Sequence, residues 1–255
     1  MINLADYPLL VFGLTFPVLW LSERIGSSLL KRHDHMAEGV RQDFGVILSA
    51  TLTLLGLLIG FTFSMAISRY NQRKNYEQEE ANAIGTEYVR ADLLPGADAA
   101  KVRALLRRYT DQRILFYETG DRQKLLQINA NTAQLQSELW SGVRAPAATQ
   151  ATPVLALAIS GMSEVLNSQG YTQAAWWDRI PLAAWGMMAA IAICANLLIG
   201  YGARQAKAER IQMLVLPLVV SISFFLIAEI DSPRGGVIRV RPQNLVSFAQ
   251  SLPAN

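Results

Sequence analysis

The chain has 255 residues, 51% of them hydrophobic and 17% charged, with a formal net charge of +3. Its basic residues are spread along the whole length and no Lys/Arg run is interleaved with aromatics, which argues against a nucleic-acid partner. The single cysteine, Cys194, excludes an internal disulfide and a cysteine-based metal centre.

The N-terminus has no basic leader and no small-residue cleavage site, so the first apolar segment is expected to stay in the mature chain. Hydropathy then predicts four membrane segments in two hairpins. The first, Tyr7 to Leu21, is short against the roughly 20 residues of a span. It contains Pro8 and Pro17, and an interfacial or re-entrant helix stays open. The second, Phe44 to Ser68, carries no charge at all. No clear break follows until Pro95-Gly96, so one helix is expected from Asp43 to Leu94. At ~1.5 Å per residue it would be roughly 78 Å long, about half of it beyond the bilayer.

The stretch from Tyr70 to Arg179 reads as a polar helical domain. On the projecting helix Ala81, Ile84, Tyr88 and Ala91 give a narrow apolar stripe. Asp98 is expected to cap a helix with Val102, Leu105, Leu106, Tyr109 and Phe116 on one face, ended by Gly120. Asp121 is expected to cap the next, where Leu125, Ile128, Leu135 and Leu139 take a and d positions with Thr132 between them. A further helix covers Pro153 to Leu166, with a turn at Gly170-Tyr171. The third span runs from Pro181 to Gly202, with Trp176, Trp177 and Trp185 as an interfacial belt. The fourth, Ile211 to Ile230, holds Pro217 in its middle. The fold class is therefore an all-α membrane protein. Residues 1–69 form the first hairpin, 70–179 an inserted helical bundle, 180–231 the second hairpin and 232–255 a tail.

Charge does not orient the chain. Arg24, Lys31, Arg32, Arg41, Arg204, Lys207 and Arg210 lie in the hairpin loops. Arg69, Arg73, Lys74, Arg179, Arg234, Arg239 and Arg241 on the opposite face match them in number.

Candidate chemistry is sparse. His33 and His35 alternate in the first hairpin loop, but a metal needs three or four ligands, and a solvated loop is the preferred reading. Glu77, Glu79, Glu80 and Glu87 lie on the projecting helix; Glu80 and Glu87 share a face, yet no Glu-x-x-His accompanies them. A solvated or ion-paired face is preferred there, with Arg73 and Glu77 spaced to pair. No metal, cofactor or enzyme activity is expected, since phosphate loops, nucleophile elbows and zinc-helix motifs are missing.

The second span is the most informative. Thr51, Leu55, Leu58, Thr62, Met65 and Arg69 form a stripe that begins and ends polar. Leu55, Ile59, Thr62, Phe63 and Ala66 define a neighbouring face with the bulk of a hydrophobic neck. The alternative is that the hydroxyls bond their own helix and that Gly56 and Gly60 serve close helix packing.

Two blocks carry a family resemblance. "LIGFTFSMAISRYNQR" with "EEANAIGTEYVRADLLP" includes Glu80, Asn82 and Thr86, and the terminal "EIDSPRGGVIRVRP" includes Asp231, Pro233 and Gly236. Together they resemble the bestrophin-like family of bacterial membrane proteins. Through true bestrophins, the resemblance implies a pentameric anion channel with an apolar neck on the second span and a cytoplasmic helical domain. It makes Leu55, Ile59 and Phe63 neck candidates and Arg69 and Arg73 anion-attracting cations. The acidic calcium-binding cluster of animal bestrophins has no counterpart in the sequence. The expected function is thus an ion path, for anions such as chloride, in a homo-oligomer of the bacterial inner membrane. A non-conducting membrane-anchored interaction or sensing module is the alternative.

Overall fold

The computed structural model describes residues 6–30, 38–149, 152–202 and 212–253; His33 and His35 lie outside them. Eight α-helices are found among the described residues, and no strand. They are α1 (Pro8–Leu30), α2 (Glu38–Arg90), α3 (Gly96–Glu118), α4 (Arg122–Thr149), α5 (Pro153–Trp177), α6 (Leu182–Gly202), α7 (Gln212–Asp231) and α8 (Gln243–Ser251). Four helices are long and apolar enough to cross a membrane.

The chain divides into two compact units. One comprises residues 1–69 and 179–239, the other residues 70–178 and 240–255. The last stretch is therefore shared: 232–239 belongs with the membrane helices and 240–255, with α8, with the helical bundle.

In the first unit α1, α6 and α7 pack on one another. The close approach is made by two glycines. A Cβ on Gly26 would overlap the Leu197 carbonyl oxygen, and one on Gly200 would overlap that of Glu23. Bare glycine lets the α1 and α6 backbones touch, the usual device where lipid offers no hydrophobic drive between helices. By contrast, a Cβ on Gly56 or Gly60 would meet nothing of this chain within 4 Å. α1 also runs 23 residues to Leu30, well past the expected end at Leu21. A hydropathy reading stops before Glu23-Arg24, whereas the helix continues through Gly26, where α1 packs on α6.

In the second unit α3, α4 and α5 pack in sequence, with α8 against α3. Val102, Leu105, Leu106, Tyr109 and Phe116 of α3 are buried as their spacing requires, as are Ile128, Thr132, Leu135 and Leu139 of α4. Asp121 caps α4, its Oδ1 accepting from Gln123 N at 2.8 Å. Three expectations are corrected. Asp98 sits in the first turn of α3, behind Pro95 as N-cap. α5 continues unbroken through Gly170-Tyr171 to Trp177, because Thr172, Ala175 and Trp176 are buried and hold its last turns. Trp176 is no belt residue; it packs between Phe116 and Tyr117 at centroid distances of 5.0 and 5.4 Å. Trp177 is exposed, and Trp185 meets Phe224 edge-on.

Candidate functional site

α2 is one helix of 53 residues. Only its uncharged run from Phe44 to Ser68 suits the bilayer core of about 30 Å. A buried stripe follows it at seven-, four- and three-residue spacings: Leu55, Thr62, Ala66, Arg73, Glu77, Glu80, Ile84 and Glu87, with Ala81 buried beside it and Ala91 continuing it in the 3-10 turn Ala91–Leu93. The exposed side in the apolar run carries Leu54, Leu57, Phe61, Ser64 and Ser68. It lies roughly 150° round the helix from the buried stripe at 3.6 residues per turn.

Of the neck candidates, Leu55, Thr62 and Ala66 are thus covered by the chain itself, and Ile59 and Phe63 are half-buried on the flank. The threonine hydroxyls turn back on their own helix: Thr51 donates to Ile47 O, Thr53 to Ser49 O and Thr62 to Leu58 O, each at 2.8 Å. Phe61 is 63% exposed, the largest uncovered ring of the helix. Arg69 is half-buried with Nη2 3.9 Å from Met65 Sδ. Arg73 is buried and donates to the Ala175 and Asp178 carbonyls at 3.2 and 3.3 Å, capping the open end of α5.

The glutamates of the projecting half do separate work. Glu77 accepts from Asn244 N and Leu245 N at 2.9 and 3.0 Å and from the Asn244 amide, so it binds the N-terminus of α8 where the helix dipole favours an anion. Glu80 forms a buried ion pair with Arg113 and also accepts from Tyr117 OH at 3.1 Å and Thr172 OH at 3.2 Å. Burial first, then the neighbouring Glu80 carboxylate, pushes the Tyr117 and Tyr109 hydroxyls above the usual phenol range. Burial pulls the Arg113 guanidinium down, but Glu80 more than restores it. Glu87 is buried without a hydrogen bond. Asn82 and Thr86 are exposed, on the other side of the helix. No group of three or more His, Cys, Asp or Glu able to hold a metal occurs among the described residues.

The C-terminal motif is a clasp within the first unit. Glu229 accepts from Val237 N at 2.6 Å and Ile238 N at 3.4 Å, folding the chain back after α7. Gly236 is needed because a Cβ would overlap Glu229 Oε2, and Gly235 because one would overlap the Asp6 carbonyl oxygen. Pro233 is buried in this turn. Asp231, fully buried, accepts from Ile180 N at 3.3 Å and lies 3.8 Å from Arg179 Nη1. Arg179 also pairs with Asp6 and donates to Asp231 O. One guanidinium thus ties the starts of α1 and α6 to the end of α7.

Sequence reasoning missed Glu23. It is 1% exposed inside α1 and neither carboxylate oxygen has a hydrogen-bond partner. Its signal is an acidic residue three positions before the packing glycine Gly26, beyond the Leu21 end that hydropathy gives α1.

An all-α chain with four membrane helices, a second one that runs on into a helical bundle and a buried carboxylate clasp after the last defines a class of membrane protein. The bestrophin-like domain matches residues 9–245, and the chain belongs to the bestrophin-like family. Solved structures agree in fold. A bacterial bestrophin homologue from Klebsiella pneumoniae with a tryptophan-to-alanine substitution is 12% identical at TM-score 0.60, over 95% of this chain and 98% of its own. Another structure of a bacterial bestrophin homologue from that organism is 13% identical at TM-score 0.59, over 96% and 99%. Among curated proteins, none matches the chain by sequence.

Proposed function

We propose that copies of this chain close into a ring, five by the family resemblance, in which the uncovered face of α2 lines an ion path. Leu54, Leu57 and Phe61 form its apolar neck and Ser64 and Ser68 its polar continuation, while Arg69, half-buried on the flank in register with Leu55 and Thr62, is the cation at the mouth whose charge favours anions such as chloride. The observation that carries this is the two-sidedness of α2. Its covered stripe already packs within the chain, and the face turned furthest from that stripe is the one we assign to an axis shared with other copies. Bulky apolar side chains at a constriction gate by dewetting. Leu55, Thr62 and Ala66 then support the wall from behind. The membrane is the bacterial inner membrane, and the unit of residues 70–178 lies in the cytoplasm.

Purified protein in liposomes is expected to release chloride faster than protein-free vesicles, with Arg69→Glu shifting selectivity toward cations. A monomer in nanodiscs overturns the ring. A ring with only protein-free flux overturns conduction and leaves a membrane-anchored interaction module.

A further inference from the structure

Glu87 is the one glutamate of the projecting stripe that the clasps leave unused. It is fully buried, and both its oxygens lack a hydrogen-bond partner. It lies 19 residues beyond Ser68, roughly 28 Å along the helix at ~1.5 Å per residue, hence outside the bilayer segment. The hollow it fills exists because residue 161 on α5 is glycine: a Cβ there would overlap Glu87 Oε2 and the Arg90 guanidinium.

Arg90, one turn further on, stands between two carboxyls. Its Nη1 is 3.7 Å from Glu164 of α5, beyond hydrogen-bond reach, and the Glu164 side chain is 59% exposed. The other charged groups nearby are engaged elsewhere. Asp92 in the following turn pairs with Arg103 of α3, and Glu80 pairs with Arg113 of α3. So the charges facing Glu87 are Arg90 from its own helix and Glu164 from α5.

We propose that Glu87 is a proton-operated switch between α2 and α5. Protonated, it rests as a neutral group in the Gly161 hollow while Arg90 reaches across to Glu164. When the proton leaves to solvent, the buried carboxylate draws Arg90 onto itself, as residues three apart on a helix can. The cross-helix pair is then lost, Glu164 is left to water, and α5 loosens from α2. A buried ion without a partner is the costlier state, so Arg90 follows the charge.

The proton leaves close to neutrality. Burial pushes the Glu87 carboxyl from 4.5 up to about 8, against the pull of Arg90 and with the help of Glu164. The folded chain then holds a proton that the unfolded chain releases, so stability falls as pH rises from 4.5 to about 8 and levels off above. The switch does not rest on conduction and operates in a ring or in a single copy.

Full-length protein in nanodiscs tests it by two readouts. The infrared band of a protonated carboxyl, taken as wild type minus Glu87→Gln, should vanish with a midpoint near pH 8. Amide exchange of α5, corrected for intrinsic rate, should speed up from about pH 6 to about pH 9 in wild type and not in Glu87→Gln. Glu164→Gln, on the surface, should move the midpoint down, read without the Glu87 variant as the loss of the carboxyl band from about pH 6 to about pH 9 in wild type and in Glu164→Gln. An unmoved midpoint in Glu164→Gln, or a pH-dependent loosening that persists in Glu87→Gln, overturns the switch.

Discussion

At the scale of single residues, the buried polar side chains decide most. Glu80 and Arg113 are both fully covered, and Glu80 also serves Tyr117 and Thr172. Removing one partner strands a charge in the core, which costs about 3–5 kcal/mol, whereas replacing both by apolar groups of similar size is often near neutral. Glu80→Ala is therefore expected to lower the thermal midpoint strongly, and Glu80→Leu with Arg113→Met to recover much of the loss. Equal losses in the single and double variants would contradict this. The sequence showed Glu80 as one of several glutamates on a helix; its role was not legible, because the partner lies 33 positions away. The same holds for Glu77, whose partners in α8 are some 167 positions distant.

At the scale of elements, helix lengths and the buried faces of α3 and α4 were largely readable, whereas the faces of the membrane helices were not. The long second helix was legible, since nothing between Gly60 and Pro95 interrupts it. The continuation of α1 past Glu23 and of α5 past Gly170 was not, because tertiary burial there overrides local signals. In a membrane helix both faces are apolar, so periodicity did not reveal that Leu55, Thr62 and Ala66 are the covered side and Phe61 the uncovered one. Glycines were similarly ambiguous: Gly56 and Gly60 had the packing spacing, while Gly26 and Gly200 make the contact. Gly26→Ala and Gly200→Ala are expected to destabilise the α1–α6 pair by about 1–3 kcal/mol, the usual range for overpacking. Gly13→Ala, with nothing within 4 Å, is the control and should be neutral or slightly stabilising. Thermal unfolding of the three variants in one detergent checks the order, and a loss in Gly13→Ala as large as in Gly200→Ala would contradict it.

At the scale of the whole molecule, the family and the all-α membrane fold were legible from the two motif blocks and the hydropathy. The division of the tail between the two units was not, because its eight residues before Val240 carry no periodic signal. The proposed ion path turns on which face of α2 meets water. Chloride flux through liposomes, measured before and after a water-soluble thiol reagent in a Cys194→Ala background, asks this directly. Phe61→Cys is predicted to be blocked by the reagent and Leu55→Cys to be untouched. Block at Leu55→Cys with none at Phe61→Cys would contradict the assignment of the uncovered face of α2 to the ion path.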